Sequence, residues 1–173
     1  MSWIRARTDE QKETRINEIV SATARLFEDQ KFEEITFAAI AREANFTRSN
    51  LYKYFGSKEE IFLEFLIHDM MIWGQDLEES LDFNKEWSIP DFADFWVETM
   101  LRHQRMLRLL SILNSFLEKN VTYERLLEFK SSLLQGLGSL NSMLQKVFPS
   151  LGEEKVTHFI NLQSTMSSGL FQM

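Results

Sequence analysis

Over the seven positions 47–53 stand Thr47, Arg48, Ser49, Asn50, Tyr52 and Lys53, six side chains that hydrogen-bond, two of them cationic. Groups of this kind do no covalent chemistry by themselves. They suit phosphate oxygens and base edges, with Arg able to pair with guanine and Asn with adenine. Between Thr36 and Lys58 the chain carries Arg42, Arg48, Lys53 and Lys58 against Glu43 alone, a local charge of +3 on a chain of −7. A basic footprint on an acidic protein is enough for DNA, because only the docking face must be positive. The alternative is a small helical hairpin whose basic face is merely solvated. Catalytic readings have less behind them. There is no cysteine nucleophile, no glycine-rich phosphate loop and no histidine pair at metal-ligand spacing, His68, His103 and His158 standing far apart. No enzymatic activity and no cofactor are therefore expected. A helical protein-interaction module is the remaining competitor, but its face would carry apolar anchors rather than Asn50, Tyr52 and Lys53.

The elements that must hold these side chains are legible over residues 36–63, TFAAIAREANFTRSNLYKYFGSKEEIFL. Phe37, Ile40, Ala41 and Ala44 recur at spacings of three and four on one helical face, and Thr36 can cap that helix. Asn45 tolerates a left-handed backbone better than other non-glycine residues, so it can close the helix and turn the chain. Thr47 caps a second helix in which Leu51, Tyr54 and Phe55 keep the apolar spacing. Ser57 and Glu60 form a capping box for a third. Helix, tight turn, short helix is the helix-turn-helix arrangement, which offers its second helix to the major groove.

The stretch AIAREANFTRSNLYKYFGSKEEIF resembles the DNA-binding signature of the tetracycline-repressor (TetR) family of bacterial transcriptional regulators. Its distinctive part is LYKYFGSKEEIF, where Leu51, Tyr52, Tyr54, Phe55, Ser57, Lys58 and Glu59 match the family pattern. Three places depart from it: Asn45 stands where glycine is usual, Ser49-Asn50 replace a small pair, and Gly56 replaces a frequent proline. The resemblance implies that Thr36, Tyr54 and Lys58 contact phosphates. It leaves Thr47, Arg48, Ser49, Asn50, Tyr52 and Lys53 for base edges or nearby phosphates. It further implies a double-stranded, palindromic DNA operator, a homodimer, and repression relieved by a small-molecule effector.

Composition predicts one compact protein. The 173 residues are 44% hydrophobic with two prolines and six glycines, so a real core is possible and little of the chain is linker. The absence of cysteine fits a reducing cytoplasm. The N-terminus lacks the apolar core of a signal peptide, and no run reaches the roughly 18 apolar residues of a membrane span. A cytoplasmic chain with no membrane partner is expected. No β-type alternation occurs, so the predicted fold class is all-α. An N-terminal three-helix DNA-binding bundle would take residues 1–56, and a C-terminal helical effector-binding and dimerisation domain residues 57–173.

Met1 to Arg7 reads as a short tail whose Arg5 and Arg7 either reach DNA or are unstructured. Helix 1 should then run from a capping box at Thr8 and Gln11 to about Glu28, with Ile16, Ile19, Val20, Thr23, Leu26 and Phe27 inside. Helix 4, from Ser57 to about Leu81, would span about 37 Å, too long for the small bundle alone. It is therefore a lever between two regions. Further helices are expected from Ser88 onward and over about 105–118, 122–148 and 151–173, the last with a capping box at Ser150 and Glu153.

Residues 61–173 hold nine Lys and Arg against fifteen Asp and Glu, a net of −6, so this part should not touch DNA. Trp73, Phe92, Phe95, Trp96, Met100, His103 and Phe116 fall on helices that would surround an effector pocket, as the resemblance implies. Adaptable methionine and aromatic walls would suit a small apolar effector. The plainer alternative for each is an ordinary core side chain. In the last helix Phe159, Leu162, Met166, Gly169 or Leu170, and Met173 recur at three and four, the narrow seam of a packed helix pair and a candidate dimer interface. Ser131, Gly136, Gly138 and Ser139 on the preceding helix would allow close approach. The alternative is that the seam covers its own domain. The chain ends at Gly169-Leu170-Phe171-Gln172-Met173, still apolar and uncapped, and the natural protein is expected to continue.

Overall fold

The computed structural model describes residues 2–170, with side chains from residue 10 onward except those of residues 114 and 170. The described residues form α1 (Ser2–Asp29), α2 (Phe37–Glu43), α3 (Arg48–Leu51), α4 (Lys58–Ser80), α5 (Ile89–Arg102), α6 (Gln104–Ile112), α7 (Tyr123–Val147) and α8 (Gly152–Leu170). A single π-helical turn, Leu113–Leu117, continues α6. No strand occurs among the described residues, and the fold is all-α. No helix among them is long and apolar enough to cross a membrane.

Local chemistry sets most boundaries. Thr36, Thr47, Ser57, Ser88 and Thr122 each accept a bond at their hydroxyl from the backbone N–H three residues on. Each satisfies one of the donors that a helix start leaves open. Two starts differ from expectation. α1 begins at Ser2, because residues 2–8 hold no glycine or proline to stop a helix extending backwards. The expected contacts of Arg5 and Arg7 and the Thr8 cap lie outside the described side chains. α8 begins at Gly152 rather than after a Ser150 cap. Leu151 N–H instead closes a turn onto the Phe148 carbonyl at 3.1 Å, and Gly152 at φ +71 steps the chain into the helix. Met173 and the Leu170 side chain lie outside the described residues.

The core is one continuous cluster running from Ile19 to Ile160, and α4 is its axis. In its first half, Phe62 meets Phe27 and Phe32 edge-on at 5.3 and 4.9 Å, tying α4 to the N-terminal bundle. In its second half, Trp73 meets Trp96 of α5 at 5.4 Å, and Leu77 is fully buried. Two carboxylates seven residues apart, hence on one face, clamp this half. Buried Asp69 takes Arg105 in a two-pronged pair at 2.8 Å for both bonds, and that guanidinium lies over the Phe65 ring at 5.0 Å. Asp76 takes Arg102 at 2.9 Å and His103 Nε2 at 2.9 Å, at the break between α5 and α6.

Candidate nucleic-acid interface

The turn between α2 and α3 is built as the side chains dictate. Asn45 adopts φ +58, its N–H reaches the Arg42 carbonyl at 3.1 Å, and Phe46 N–H reaches the Ala41 carbonyl at 2.8 Å. That pair of bonds around a left-handed residue is the Schellman stop, with Asn in the place glycine usually takes. Thr47 follows and caps α3 at the Asn50 N–H, 3.1 Å away. Regular α-helix then lasts only to Leu51. Lys53 N–H and Tyr54 N–H bond three residues back, to Asn50 and Leu51 carbonyls, so the last turn is tighter than the predicted helix.

Leu51 and Phe55 are buried, and this fixes which side of α3 faces out. Thr47, Arg48, Ser49, Asn50, Tyr52 and Lys53 are all exposed. Tyr52 stacks at 4.5 Å on Phe37 of α2, and Arg48 lies over its ring at 5.7 Å with a guanidinium bond to its hydroxyl at 3.3 Å. Neither Arg48 nor Lys53 has a carboxylate partner among the described residues, nor has the exposed Arg42. Arg25 and Glu43, alongside, neutralise each other at 2.7 Å. Thr36 is exposed at the start of α2, with its hydroxyl on the Ala39 N–H.

Tyr54 and Lys58 are held more tightly than an exposed phosphate contact needs. Tyr54 is half-buried with its ring edge-on to Phe46, and its carbonyl accepts from Arg125 of α7 at 2.9 Å. Lys58 Nζ donates to the Phe32 and Ile35 carbonyls at 2.7 and 2.9 Å and sits 4.0 Å over the Phe32 ring. Burial pushes its ammonium below the ordinary lysine pKa. Lys58 thus holds the connection between α1 and α2, with one N–H left over.

Two residues, Glu60 with a role other than its predicted cap and Arg125, which sequence reasoning missed, tie this unit to the rest. Buried Glu60 accepts from Gly56 N–H at 2.7 Å on one oxygen and from Thr122 N–H and hydroxyl at 3.4 and 3.3 Å on the other. Arg125 adds the bond to Tyr54. The start of α7 is therefore bonded to the end of the α3 turn. The partners lie more than sixty residues apart in the chain, so no local pattern could signal them.

The expected effector residues divide into two places. Trp73, Phe92, Phe95 and Trp96 form one aromatic layer with Trp87, Phe148 and Phe159. Met100 is buried and bonded to Gln163 Nε2, and His103 pairs with Asp76. Phe116 is brought elsewhere, against Phe32 at 5.6 Å. On α8, Leu162 and Met166 are 52% and 58% exposed, while Phe159 is half-covered by Trp96.

Residues 19–65 match the family model described as bacterial regulatory proteins, tetR family, and residues 69–173 that described as tetracyclin repressor-like, C-terminal domain. An uncharacterized HTH-type transcriptional regulator, YfiR, of Bacillus subtilis (strain 168) is 31% identical over 88 residues, 50% of this chain and 43% of that protein. The HTH-type transcriptional regulator HbdR of Aromatoleum sp. (strain CIB) is 31% identical over 70 residues, 40% of this chain and 31% of that protein. The matched stretch thus spans less than half the length of either relative.

Proposed function

The chain belongs to the tetracycline-repressor (TetR) family of bacterial regulatory proteins, and from that premise we propose that it is a DNA-binding transcriptional regulator. It acts as a cytoplasmic homodimeric repressor, released from a palindromic operator by a small apolar effector. The observation that carries this reading is the outer face of α3, six exposed hydrogen-bonding side chains with Arg48 and Lys53 lacking a carboxylate partner among the described residues. Arg48 and Asn50 read base edges, each good bidentate pair giving about 1–3 kcal/mol of discrimination. Thr47, Ser49, Tyr52 and Lys53 take base edges or adjoining phosphates. Thr36, Tyr54 and the remaining N–H of Lys58 take phosphates. Residues 1–56 form the reading unit and residues 57–173 the regulatory and dimerising unit, with α4 shared between them.

Dimerisation is supported by two exposed apolar stripes. Tyr123, Leu127 and Leu134 on α7 are 74%, 54% and 69% exposed, in line with Ser131 and Gly138. A side chain added at Gly138 would meet nothing within 4 Å, so that face is open to a partner helix. Leu162 and Met166 continue the seam on α8. Two recognition helices related by a two-fold axis then read two half-sites. Release requires an effector that binds the DNA-free form better than the bound one and acts through α4. Gel shifts with genomic fragments at two salt concentrations test the reading. Specific complexes that weaken with salt are expected; no complex with any fragment would end it.

A further inference from the structure

We propose that the cleft between the α1–α2 connection and the π-helical turn binds a small amphipathic carboxylate, an aryl or alkyl acid. Its regulatory meaning rests on the repressor reading, whereas the binding itself does not. The cleft has a volume of about 510 Å³, within the range of small-molecule sites. Its apolar side is Phe27, Phe32 and Phe116. Its charged side is Lys31 and Arg108, with Glu33 the one acid in the lining.

Arg108 is the telling residue. Of the four arginines beyond residue 100, Arg102 pairs with Asp76, Arg105 with Asp69, and Arg125 with Glu128. Arg108 reaches no carboxylate among the described residues, although this part of the chain is strongly acidic. It is half-buried with its guanidinium 4.2 Å over the Phe27 ring. A partly desolvated guanidinium with unused donors is poised for a carboxylate arriving from outside, where the bond is charge-assisted and can be two-pronged. The Lys31 ammonium, also without a carboxylate partner among the described residues, adds a second positive group to the same lining. An anion with an apolar body fits; a neutral apolar molecule would leave both cations as they are.

The backbone supports the same place. The π turn Leu113–Leu117 closes with Glu118 N–H on the Leu113 carbonyl at 3.3 Å, and it carries Phe116 outward to 38% exposure. Such turns are rare and occur frequently at functional sites. Phe116 and Phe32 then form adjoining aromatic walls, 5.6 Å between centroids, on which an aryl body can stack. Phe32 also offers its carbonyl to Lys58, four residues before Thr36 opens the helix-turn-helix. A ligand here sits against the connection that positions the DNA-reading unit.

Calorimetry and saturation-transfer NMR on the whole chain, with phenylbutyrate and its neutral analogue phenylbutanol, test the proposal. Phenylbutyrate should bind at least about tenfold more tightly, the worth of one charge-assisted hydrogen bond. Arg108→Gln should abolish that preference and leave the alcohol unaffected. Lys31→Gln, an exposed change with no folding risk, should reduce it by a smaller factor. Equal binding of acid and alcohol, phenyl phosphate in place of the acid, or full acid affinity in both variants would overturn it. Gel shifts run separately keep the two ideas apart: acid binding without any DNA complex removes the repressor reading and leaves the site.

Discussion

Arg48 and Lys53 lie five residues apart on the same exposed surface, yet they should fail in different ways. Replacing Arg48 by Ala should cost about 1–3 kcal/mol on the preferred operator and relax preference at one base pair. Replacing Lys53 by Ala should weaken every sequence alike and reduce the salt slope by about one. Lys58→Ala has a double effect, because the ammonium also serves the Phe32 and Ile35 carbonyls. Thermal unfolding should show a loss of about 1–2 kcal/mol together with uniformly weaker DNA binding. Unchanged stability would mean that those carbonyl bonds contribute nothing. At this scale the sequence is a good guide where partners are neighbours. The Thr36, Thr47 and Ser57 caps and the left-handed Asn45 follow from residue type and spacing. Glu60 shows the limit. Its predicted role was to close the capping box on the Ser57 backbone, and its carboxylate instead takes Gly56 and Thr122.

Among the elements, α4 packs against both the N-terminal bundle and the helices that follow. Its first turn is bonded to the α1–α2 connection and to the start of α7, and its second half is clamped by Asp69 and Asp76. Asp69→Ala should destabilise by about 3 kcal/mol or more, because it leaves Arg105 partly buried and unpaired. Asp76 supplies a pH signature. The His103 hydrogen bond, helped by Arg102 and Ser80 and opposed by burial, holds its carboxyl below the ordinary 3.8. A depressed carboxylate pKa gives stability that is fully present above the ordinary carboxylate range and lost as pH falls through the folded value. Asp76→Asn should therefore unfold more easily at neutral pH, and the gap to wild type should close in acid below about pH 4. A gap that persists into acid would show that the lost contribution is not ionic. The periodic pattern located α4 to α8 closely. It gave no hint of the π turn, whose extra residue per turn leaves no signature in apolar spacing.

For the whole molecule, apolar stripes at three and four identify which faces are hydrophobic, not what covers them. That is why the spacing of Trp73, Phe92, Phe95 and Trp96 fits a pocket wall and a core aromatic layer equally well. On α8, Phe159 leans on Trp96 while Leu162 and Met166 face out. Sedimentation at micromolar concentration should find a dimer, and Leu162→Glu with Met166→Glu should give a folded monomer. Dimers that survive both changes would place the interface elsewhere.

The central claim is that the outer face of α3 reads DNA. It is tested most directly by selecting bound fragments from a random duplex library and measuring their affinity for wild type and for Arg48→Ala with Asn50→Ala at two salt concentrations. The proposed function predicts a two-fold symmetric selected sequence. It also predicts that the double variant keeps its salt-dependent, non-specific affinity but loses most of the preference for that sequence. A wild-type preference that survives both substitutions intact would contradict it.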